Sequence, residues 1–230
     1  VDAADVKAKV IGEGANLGIT QAARIEFSLH GGRCNTDFID NSAGVDCSDN
    51  EVNIKIALNK EMAEGRLPFD ARNALLESMT DAVADLVLED NRLQALGLSI
   101  AEAGGGDDLA SYVRLIETFE ESGRLDRQVE GLAANDQLLR RGQDGQGLTR
   151  PELAVLLSTA KLALQDAIEH GDLASDDSMI GELMAAFPPA MQDKEADAIA
   201  AHALRKEIIA TKVANRIVNR LGLIHPFELA

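Results

Sequence analysis

The first thirty residues combine an alternating apolar segment, a glycine-rich turn and a helical pattern. Residues 6–10 alternate valine and alanine with lysine, which predicts a half-buried strand. The glycine-rich sequence at 12–16 predicts a turn, and Thr20 is a suitable N-cap for a helix beyond it. Apolar positions over 22–29 fit that helix, and Gly31 marks its end.

The next segment completes the pattern of a parallel βαβ unit. Residues 34–40 predict a second short strand, and the sequence at 41–45 predicts a loop. Strand, glycine turn, helix and strand in this order are typical of βαβ folds. Residues 51–58 are ambiguous, because their apolar side chains alternate as in a strand while Ser48 and Asp49 resemble a helix N-cap. Periodicity alone favours a strand there.

The rest of the chain has the three- and four-residue apolar spacing of amphipathic helices. The predicted helices are 70–87, a segment from Asp107 or Asp108 to Gly123, a segment from Thr149 to Gly171, and a long run over 194–221. The clearest helix start is the capping box Thr149-Arg150-Pro151-Glu152, with a proline in the first turn. The second half of the chain is therefore predicted to be mostly helical.

Composition excludes several classes of function. The net charge of -17 disfavours binding to a nucleic-acid backbone or an anionic membrane surface. No apolar stretch is long enough to cross a bilayer, and no secretory signal pattern is present at the N-terminus, which predicts a cytoplasmic protein. The two cysteines are too few for a disulfide framework, so reduced thiols are expected.

Three constellations of polar residues could carry chemistry. Gly12, Gly14 and Gly18, with Asp37 or Asp40 about twenty residues on, imitate a dinucleotide fingerprint. The spacing of the glycines departs from that fingerprint, and a glutamate between the first two would oppose a bound phosphate. A later crossover of the same kind of sheet is the preferred interpretation, because loops at the carboxyl ends of such strands face the ligand crevice.

The other two constellations have weaker support. A metal site could be drawn from His30, Cys34, Asp37 and Cys47, but no pair has the close spacing that favours zinc ligation. Ser28, His30 and Asp40 could be drawn as a nucleophile triad, but no Gly-x-Ser-x-Gly sequence surrounds the serine. We therefore predict no metal ligands. Arg140-Arg141 is read as a solvated helix end in preference to an anion site.

Several motifs together resemble one enzyme family. They are Glu13-Gly14-Ala15-Asn16, Asn41-Ser42-Ala43-Gly44-Val45-Asp46-Cys47-Ser48, Ile19-Thr20-Gln21-Ala22-Ala23-Arg24-Ile25, His30-Gly31-Gly32-Arg33-Cys34-Asn35-Thr36-Asp37, Gly147-Leu148-Thr149-Arg150-Pro151-Glu152-Leu153 and Glu207-Ile208-Ile209-Ala210-Thr211. These sequences are similar to those of the large bacterial NAD-specific glutamate dehydrogenases. The resemblance extends over nearly the whole chain, and it favours a helix at 51–58.

The resemblance implies roles for four residues. Asn16 and Asn41 would line the nicotinamide end of the cofactor site, Val45 would pack against substrate, and the Ser48 hydroxyl would bind the distal carboxylate of the substrate. Amide and hydroxyl groups suit these tasks because they bind polar ligand groups without adding charge. A plain helix N-cap is the alternative for Ser48. Ala43 and Asp46 depart from the pattern of smaller family members.

The resemblance also implies an architecture and an activity. Residues 1–60 would be the C-terminal part of an NAD-binding domain, an α/β closing segment of a doubly wound, Rossmann-like sheet, and 61–230 a mostly α-helical C-terminal domain. The enzyme would oxidatively deaminate glutamate to 2-oxoglutarate and ammonia with NAD, and it would be a homo-oligomer. The catalytic lysines and aspartate would lie upstream in the same polypeptide, so no catalytic residue is predicted in this chain and the chain alone is expected to be inactive.

Two alternatives remain open at this point. The helical half could be a structural, assembly or regulatory module of that enzyme. The enzyme could also act on a different amino acid, since a serine at position 48 suits an acidic side chain whereas an apolar residue there would suit leucine or phenylalanine.

Overall fold

A computed structural model describes residues 2–228 of the chain. Its strands and helices are β1 (Val10–Ile11), α1 (Gln21–Leu29), β2 (Arg33–Cys34), α2 (Asp37–Asp40), α3 (Ser42–Ala63), α4 (Phe69–Ser78), α5 (Thr80–Ala103), α6 (Leu109–Glu121), α7 (Asn135–Gln143), α8 (Arg150–His170), α9 (Ile180–Ala185), α10 (Pro189–Lys194), α11 (Ala196–Ala200), α12 (Arg205–Leu221) and α13 (His225–Glu228). Short 3-10 helices lie at Ala3–Asp5, Leu173–Ser175 and Asp177–Met179.

The chain divides into two compact units that are each discontinuous in sequence. The first contains the described residues up to Asn41, Leu93–Ala163 and those from Ile217 onward, and the second contains Ser42–Arg92 and Leu164–Arg216. This division differs from the predicted boundary after residue 60, which concerns the domains of a longer enzyme and stays a prediction.

The first unit contains the predicted βαβ arrangement. β1 and β2 pair in parallel, with Val10 opposite Arg33 and Ile11 opposite Cys34, and α1 connects them. Thr20 caps α1 as predicted, because its hydroxyl oxygen accepts a hydrogen bond from the Ala23 backbone N–H at 3.3 Å. The local strand, turn, helix and strand order is confirmed, and the doubly wound sheet of which it would form the end stays a prediction.

Both strands are shorter than the sequence predicts. β1 contains only Val10–Ile11, and the segment predicted as a strand over 34–40 turns into the short helix α2 after Cys34. Asp37 and Asp40 lie in α2, and both bind the loop after β1. Their carboxylates accept hydrogen bonds from backbone N–H groups of the loop after β1.

Helical packing forms the rest of the first unit. α6 buries an apolar face that includes Leu109, Ile116 and Phe119, and it packs against α7. Phe119 also meets Phe227 edge to face, with ring centroids 5.0 Å apart. Gly123 ends α6 with a φ of 69°, a left-handed conformation that glycine adopts without strain, as the sequence predicts.

The second unit begins with α3, which corrects two predictions. The predicted loop at 41–45 is wrong, because α3 already starts at Ser42 and runs through the ambiguous segment to Ala63. Its buried positions include Ile54 and Leu58, whereas Val52, which continues the apparent alternation, is 51% exposed. The strand that periodicity favoured at 51–58 is therefore wrong, and the helix implied by the family resemblance is confirmed.

Two predicted helices are interrupted. The segment 70–87 contains two helices, because α4 ends at Ser78 and α5 begins at Thr80. The run 194–221 is interrupted after α11, where buried His202 uses both ring nitrogens: Nδ1 accepts from the Leu204 backbone N–H and Nε2 donates to the Asn53 carbonyl oxygen, each at 3.0 Å. The Leu204 N–H is thus bonded to a side chain, which competes with the backbone hydrogen bond that a continuous helix would form. Within residues 2–228, no helix is long and apolar enough to cross a membrane.

Candidate functional site

The loop between β1 and α1 is organised around a buried glutamate. Glu13 is only 7% exposed, and its carboxylate accepts a hydrogen bond from the Ile19 backbone N–H at 2.9 Å. Arg24 of α1 binds both oxygens of the same carboxylate, through Nε and Nη2 at 2.8 Å each. Such a two-pronged pair fixes both distance and orientation. The loop over 12–19 therefore closes on its own acidic side chain.

Arg24 also joins this loop to α2. Its Nη2 lies 3.0 Å from Asp37 Oδ1, and Arg24 is itself 5% exposed. The Arg24 hydrogen bond lowers the pKa of Glu13 from its ordinary value, against the opposing effect of burial. Burial tends to raise the pKa of Asp37, but the Leu17 amide and the Arg24 charge outweigh it, and the net shift is downward. Both acids are therefore held as carboxylates around one buried guanidinium.

This network changes the interpretation of the glycine-rich sequence. The Glu13 N–H donates to Asp40 Oδ2 at 2.8 Å, and the Leu17 N–H donates to Asp37 Oδ2 at 2.9 Å. In a dinucleotide fingerprint the loop amides would face a pyrophosphate and the acid would bind a ribose. Here carboxylates of the chain occupy three of these amides, including that of Ile19. The fingerprint interpretation of these residues is not supported, and sequence reasoning missed the part played by Arg24.

The two candidate cofactor residues lie together and are bonded to each other. Asn41, which follows α2, donates its side-chain amide to Asn16 Oδ1 at 2.8 Å. The Asn16 amide nitrogen and the Asn41 carbonyl oxygen are not part of this bond. Asn16 is exposed and Asn41 is half-buried. A Cβ placed at Gly12 or Gly14 would meet no heavy atom within 4 Å, so a ligand can approach the backbone of this loop closely.

The two candidate substrate residues belong to the second unit. Val45 and Ser48 lie in the first two turns of α3, and both are exposed, Val45 by 61%. The Ser48 hydroxyl donates to the Gly44 carbonyl oxygen at 3.2 Å. Since α3 begins six residues earlier, the alternative interpretation of Ser48 as an N-cap is wrong. An exposed hydroxyl whose own bond is within the helix can rotate to bind a ligand instead.

The other constellations do not form sites. Among the described residues, no group of three or more His, Cys, Asp or Glu side chains is placed to hold a metal ion. Cys34 is buried and Cys47 is exposed, and burial raises the pKa of the Cys34 thiol. Ser28 contacts the Cys34 sulfur at 3.5 Å, whereas His30 Nδ1 contacts the Glu26 carbonyl oxygen. The drawn triad of Ser28, His30 and Asp40 is therefore absent from this geometry.

The arginine pair of α7 is only partly solvated. Arg140 is exposed and pairs with Asp136 one turn earlier at 2.7 Å. Arg141 instead binds both oxygens of fully buried Glu152, each at 2.9 Å. The prediction of a solvated helix end is therefore right for Arg140 and wrong for Arg141, which joins α7 to the start of α8.

A further polar cavity of the first unit was not predicted. It has a volume of about 700 Å³ and lies beside β1 and β2, with Arg150 of α8 at its edge. The Arg150 guanidinium donates to the Ser99 hydroxyl, the Glu102 carboxylate and the Ala95 carbonyl oxygen, each at 3.1 Å, and it also binds Asn35. These partners satisfy the cation within the unit and fasten α8 to α5.

Comparisons with known proteins all indicate one kind of enzyme. The family model described as "Bacterial NAD-glutamate dehydrogenase, catalytic domain" matches residues 1–101, and the model described as "Glutamate dehydrogenase, C-terminal" matches 145–230. Three curated relatives carry the name NAD-specific glutamate dehydrogenase. The protein of Pseudomonas aeruginosa is 47% identical over 97% of the chain, that of Halomonas elongata 41% over 97%, and that of Mycobacterium tuberculosis 42% over 100%.

The chain spans 14% of the length of each of these relatives. The two family models describe parts of one kind of enzyme and together match most of the chain. The sequence motifs that resembled this enzyme fall inside the matched ranges. The chain belongs to the bacterial NAD-glutamate dehydrogenase family and represents a C-terminal portion of such an enzyme.

Proposed function

We propose that the protein containing this chain is an NAD-dependent glutamate dehydrogenase, which converts L-glutamate to 2-oxoglutarate and ammonia. The observation that carries the proposal is the placement of Asn16 and Asn41 as a hydrogen-bonded pair after β1 and α2, within a chain that matches this family. The catalytic lysines and aspartate are expected in the upstream part of the same polypeptide. The location would be cytoplasmic and the assembly a homo-oligomer.

The cofactor role belongs to Asn16 and Asn41. The amide nitrogen of one and the carbonyl oxygen of the other lie outside their mutual bond, so the pair offers a donor and an acceptor to a ribose hydroxyl or a carboxamide. The open backbone at Gly12 and Gly14 is compatible with a bulky ligand beside them. NAD, when bound, supplies the hydride acceptor. The task of this chain would be to hold its nicotinamide end in place.

The substrate role belongs to Val45 and Ser48. Ser48 can donate its hydroxyl proton to the distal carboxylate of glutamate, giving up the bond to the Gly44 carbonyl oxygen. Val45, 61% exposed, offers an apolar contact to the methylene groups between the two ends of the substrate. The hydroxyl is a neutral donor, so it binds the carboxylate without placing a positive charge beside it.

The cofactor assignment predicts a defect in NAD binding. In the full-length enzyme, Asn41→Ala or Asn16→Ala should raise the KM for NAD by roughly 2- to 12-fold, because each removes one or two neutral hydrogen bonds. Initial rates of NADH formation at saturating glutamate measure this. Asn73→Ala, at an exposed position of α4, is the matched control and should leave the KM unchanged. An equal effect of all three substitutions would contradict the assignment.

The substrate assignment predicts a selective loss. Ser48→Ala in the full-length enzyme should lower kcat/KM for glutamate by roughly 10- to 150-fold, the cost of one hydrogen bond to a charged group. Norvaline has the same backbone but no distal carboxylate, so its kcat/KM should change little. Ser175→Ala, an exposed serine in the second unit, is the control. If glutamate and norvaline lose activity equally, Ser48 does not recognise the distal carboxylate.

A further inference from the structure

A cluster of charged side chains lies beside the first turns of α3, inside the second unit. Asp46 of α3, Asp90 of α5 and Lys212 of α12 line one cavity of about 270 Å³. The Lys212 ammonium lies 2.7 Å from Asp90 Oδ2. Asp46 Oδ1 accepts a hydrogen bond from Asn50, whereas Asp46 Oδ2 is buried and has no hydrogen-bond partner among the described residues. Asp46 is thus the poorly satisfied member of the cluster.

The charges that face Asp46 are mostly negative. Asp49 comes from α3 itself, Asp90 from α5, and Glu207 lines the same cavity from α12, while Lys212 is the cation among them. Burial is the largest effect on Asp46, Asp90 is the next, and together they raise its pKa to about 6 although Lys212 opposes them. Near neutral pH, Asp46 therefore carries a charge that its surroundings disfavour.

Asp46 lies between the two candidate substrate residues, directly after Val45 and two residues before Ser48. The same end of α3 is fastened to α5 by a hydrogen bond from the Ser42 hydroxyl to Asn91. Asp46 is itself part of these turns, so its interactions with Asp90 and Lys212 act on the same turns that carry Val45 and Ser48. Titratable groups in disfavoured charge states cluster at functional sites.

We propose that the cluster of Asp46, Asp90 and Lys212 sets how firmly the first turns of α3, and with them Val45 and Ser48, are held. Asp46 and Lys212 act as positioning residues with opposite effects: the Asp46 charge loosens these turns, and the Lys212 charge holds them. As far as it concerns substrate, the inference rests on the proposed function of Ser48.

The sign of the effect follows from proton binding. A group with a raised pKa in the folded state keeps its proton to higher pH than it does in the unfolded chain. The first turns of α3 are then most stable while Asp46 is protonated, and their stability decreases as pH rises from about 4 through about 6. Asn at position 46 keeps the shape of the protonated acid at every pH, so Asp46→Asn should remove the pH dependence.

Hydrogen exchange of the full-length protein measures the stability of the first turns of α3 directly. At pH 8, peptides covering 42–52 should exchange about fivefold more slowly in Asp46→Asn and about fivefold faster in Lys212→Met than in the wild type, after correction for intrinsic rates. At pH 4, where Asp46 is protonated in the folded chain and largely protonated in the open chain, the difference between Asp46→Asn and wild type should largely vanish. Glu51→Gln removes an exposed carboxylate of the same helix, which pairs with Lys55 one turn later, and should change neither result.

Substrate kinetics test the consequence. At pH 8, Asp46→Asn should lower the KM for glutamate about threefold and Lys212→Met should raise it, with kcat within about twofold in both, because a firmer binding segment loses less entropy on binding. If both variants exchange faster than wild type, the cluster is only structural and the proposal is wrong. A difference between Asp46→Asn and wild type that is the same at both pH values would also overturn it.

The outcomes separate this inference from the proposed function. Ser48→Ala that is selective for glutamate, combined with an unchanged KM in Asp46→Asn, would overturn the positioning role alone. Ser48→Ala without selectivity would remove the substrate role of α3, and the exchange rates then decide the inference. Should Lys212→Met fail to fold, the comparison of Asp46→Asn with wild type at the two pH values is sufficient by itself.

Discussion

At the scale of single residues, the best-defined feature is a buried arginine between two acids. Arg24 joins Glu13 and Asp37, and the loop that carries Asn16 depends on this arrangement. The family resemblance identifies Asn16 and Asn41, but nothing in the sequence distinguishes Arg24 from an ordinary helical arginine. Its role depends on its burial and on the ion pair with Asp37, and both arise only in the folded chain. The glutamate that seemed to oppose phosphate binding is, in the folded chain, the partner of this arginine.

Replacing this arginine should open the loop. Arg24→Met leaves two buried carboxylates without their cation, and breaking such a buried pair costs about 3 kcal/mol or more. Hydrogen exchange of peptides covering 12–19 should therefore accelerate about a hundredfold at pH 7. Arg92→Met, which removes an exposed arginine paired with Glu89, is the control and should leave this loop unchanged. Unaltered exchange in Arg24→Met would show that the network contributes no stability.

The same network predicts an acid sensitivity with a definite sign. The pKa values of Glu13 and Asp37 are lowered in the folded chain, so their contribution to stability is complete above their ordinary values near 4.5 and 3.8. It is lost as pH falls further and the carboxylates take up protons. Loop exchange in the wild type, corrected for intrinsic rates, should rise between pH 5 and pH 3, and in Arg24→Met it should depend less on pH.

At the scale of elements, the sequence predicts helix ends better than helix continuity. Thr20, Gly123 and the start of α8 lie where local chemistry indicates, because caps and left-handed glycines depend on neighbouring residues. The interruption at His202 depends on the carbonyl of Asn53, a residue 149 positions away. The alternation at 51–58 misleads for the same reason, since which side chains are buried is decided by packing against α11.

The start of α8 combines a capping box with a buried ion pair. Glu152, which is fully buried, accepts from the Thr149 backbone N–H and from the Thr149 hydroxyl, both at 2.7 Å, while Arg141 binds it from α7. The sequence predicts the first of these bonds. In a capping box the Thr149 hydroxyl would accept a hydrogen bond from a backbone N–H of the first helical turn. In the structure this hydroxyl instead donates to Glu152.

Substitutions at Thr149 should reflect this donor role. Thr149→Val keeps the shape but loses the hydrogen bond to a buried carboxylate, which should cost about 1.5 kcal/mol and lower the melting temperature by a few degrees. Thr149→Ser keeps the hydroxyl and should cost much less. Circular dichroism of a polypeptide comprising residues 1–230 measures both. Equal melting temperatures for the two variants would mean that the hydroxyl contributes nothing.

At the scale of the whole molecule, the residues proposed to bind ligands are distributed over two compact units. Asn16 and Asn41 belong to the first, and Val45 and Ser48 belong to the second. The sequence could not predict this division, because each unit is assembled from segments that are distant along the chain. It did predict the family, since motifs spread over the whole chain are more specific together than any one of them. The chain still spans 14% of its relatives, which agrees with its proposed role as a binding portion of a larger enzyme.

A structure of the full-length enzyme bound to NAD and glutarate, a five-carbon dicarboxylate, tests the central claim most directly. The account predicts that Ser48 Oγ lies about 2.5–3.2 Å from a carboxylate oxygen of glutarate, and that a side-chain amide atom of Asn16 or Asn41 lies within the same range of NAD. Ligands bound elsewhere, with Ser48 still donating to the Gly44 carbonyl oxygen and the two asparagines still bonded only to each other, would contradict it.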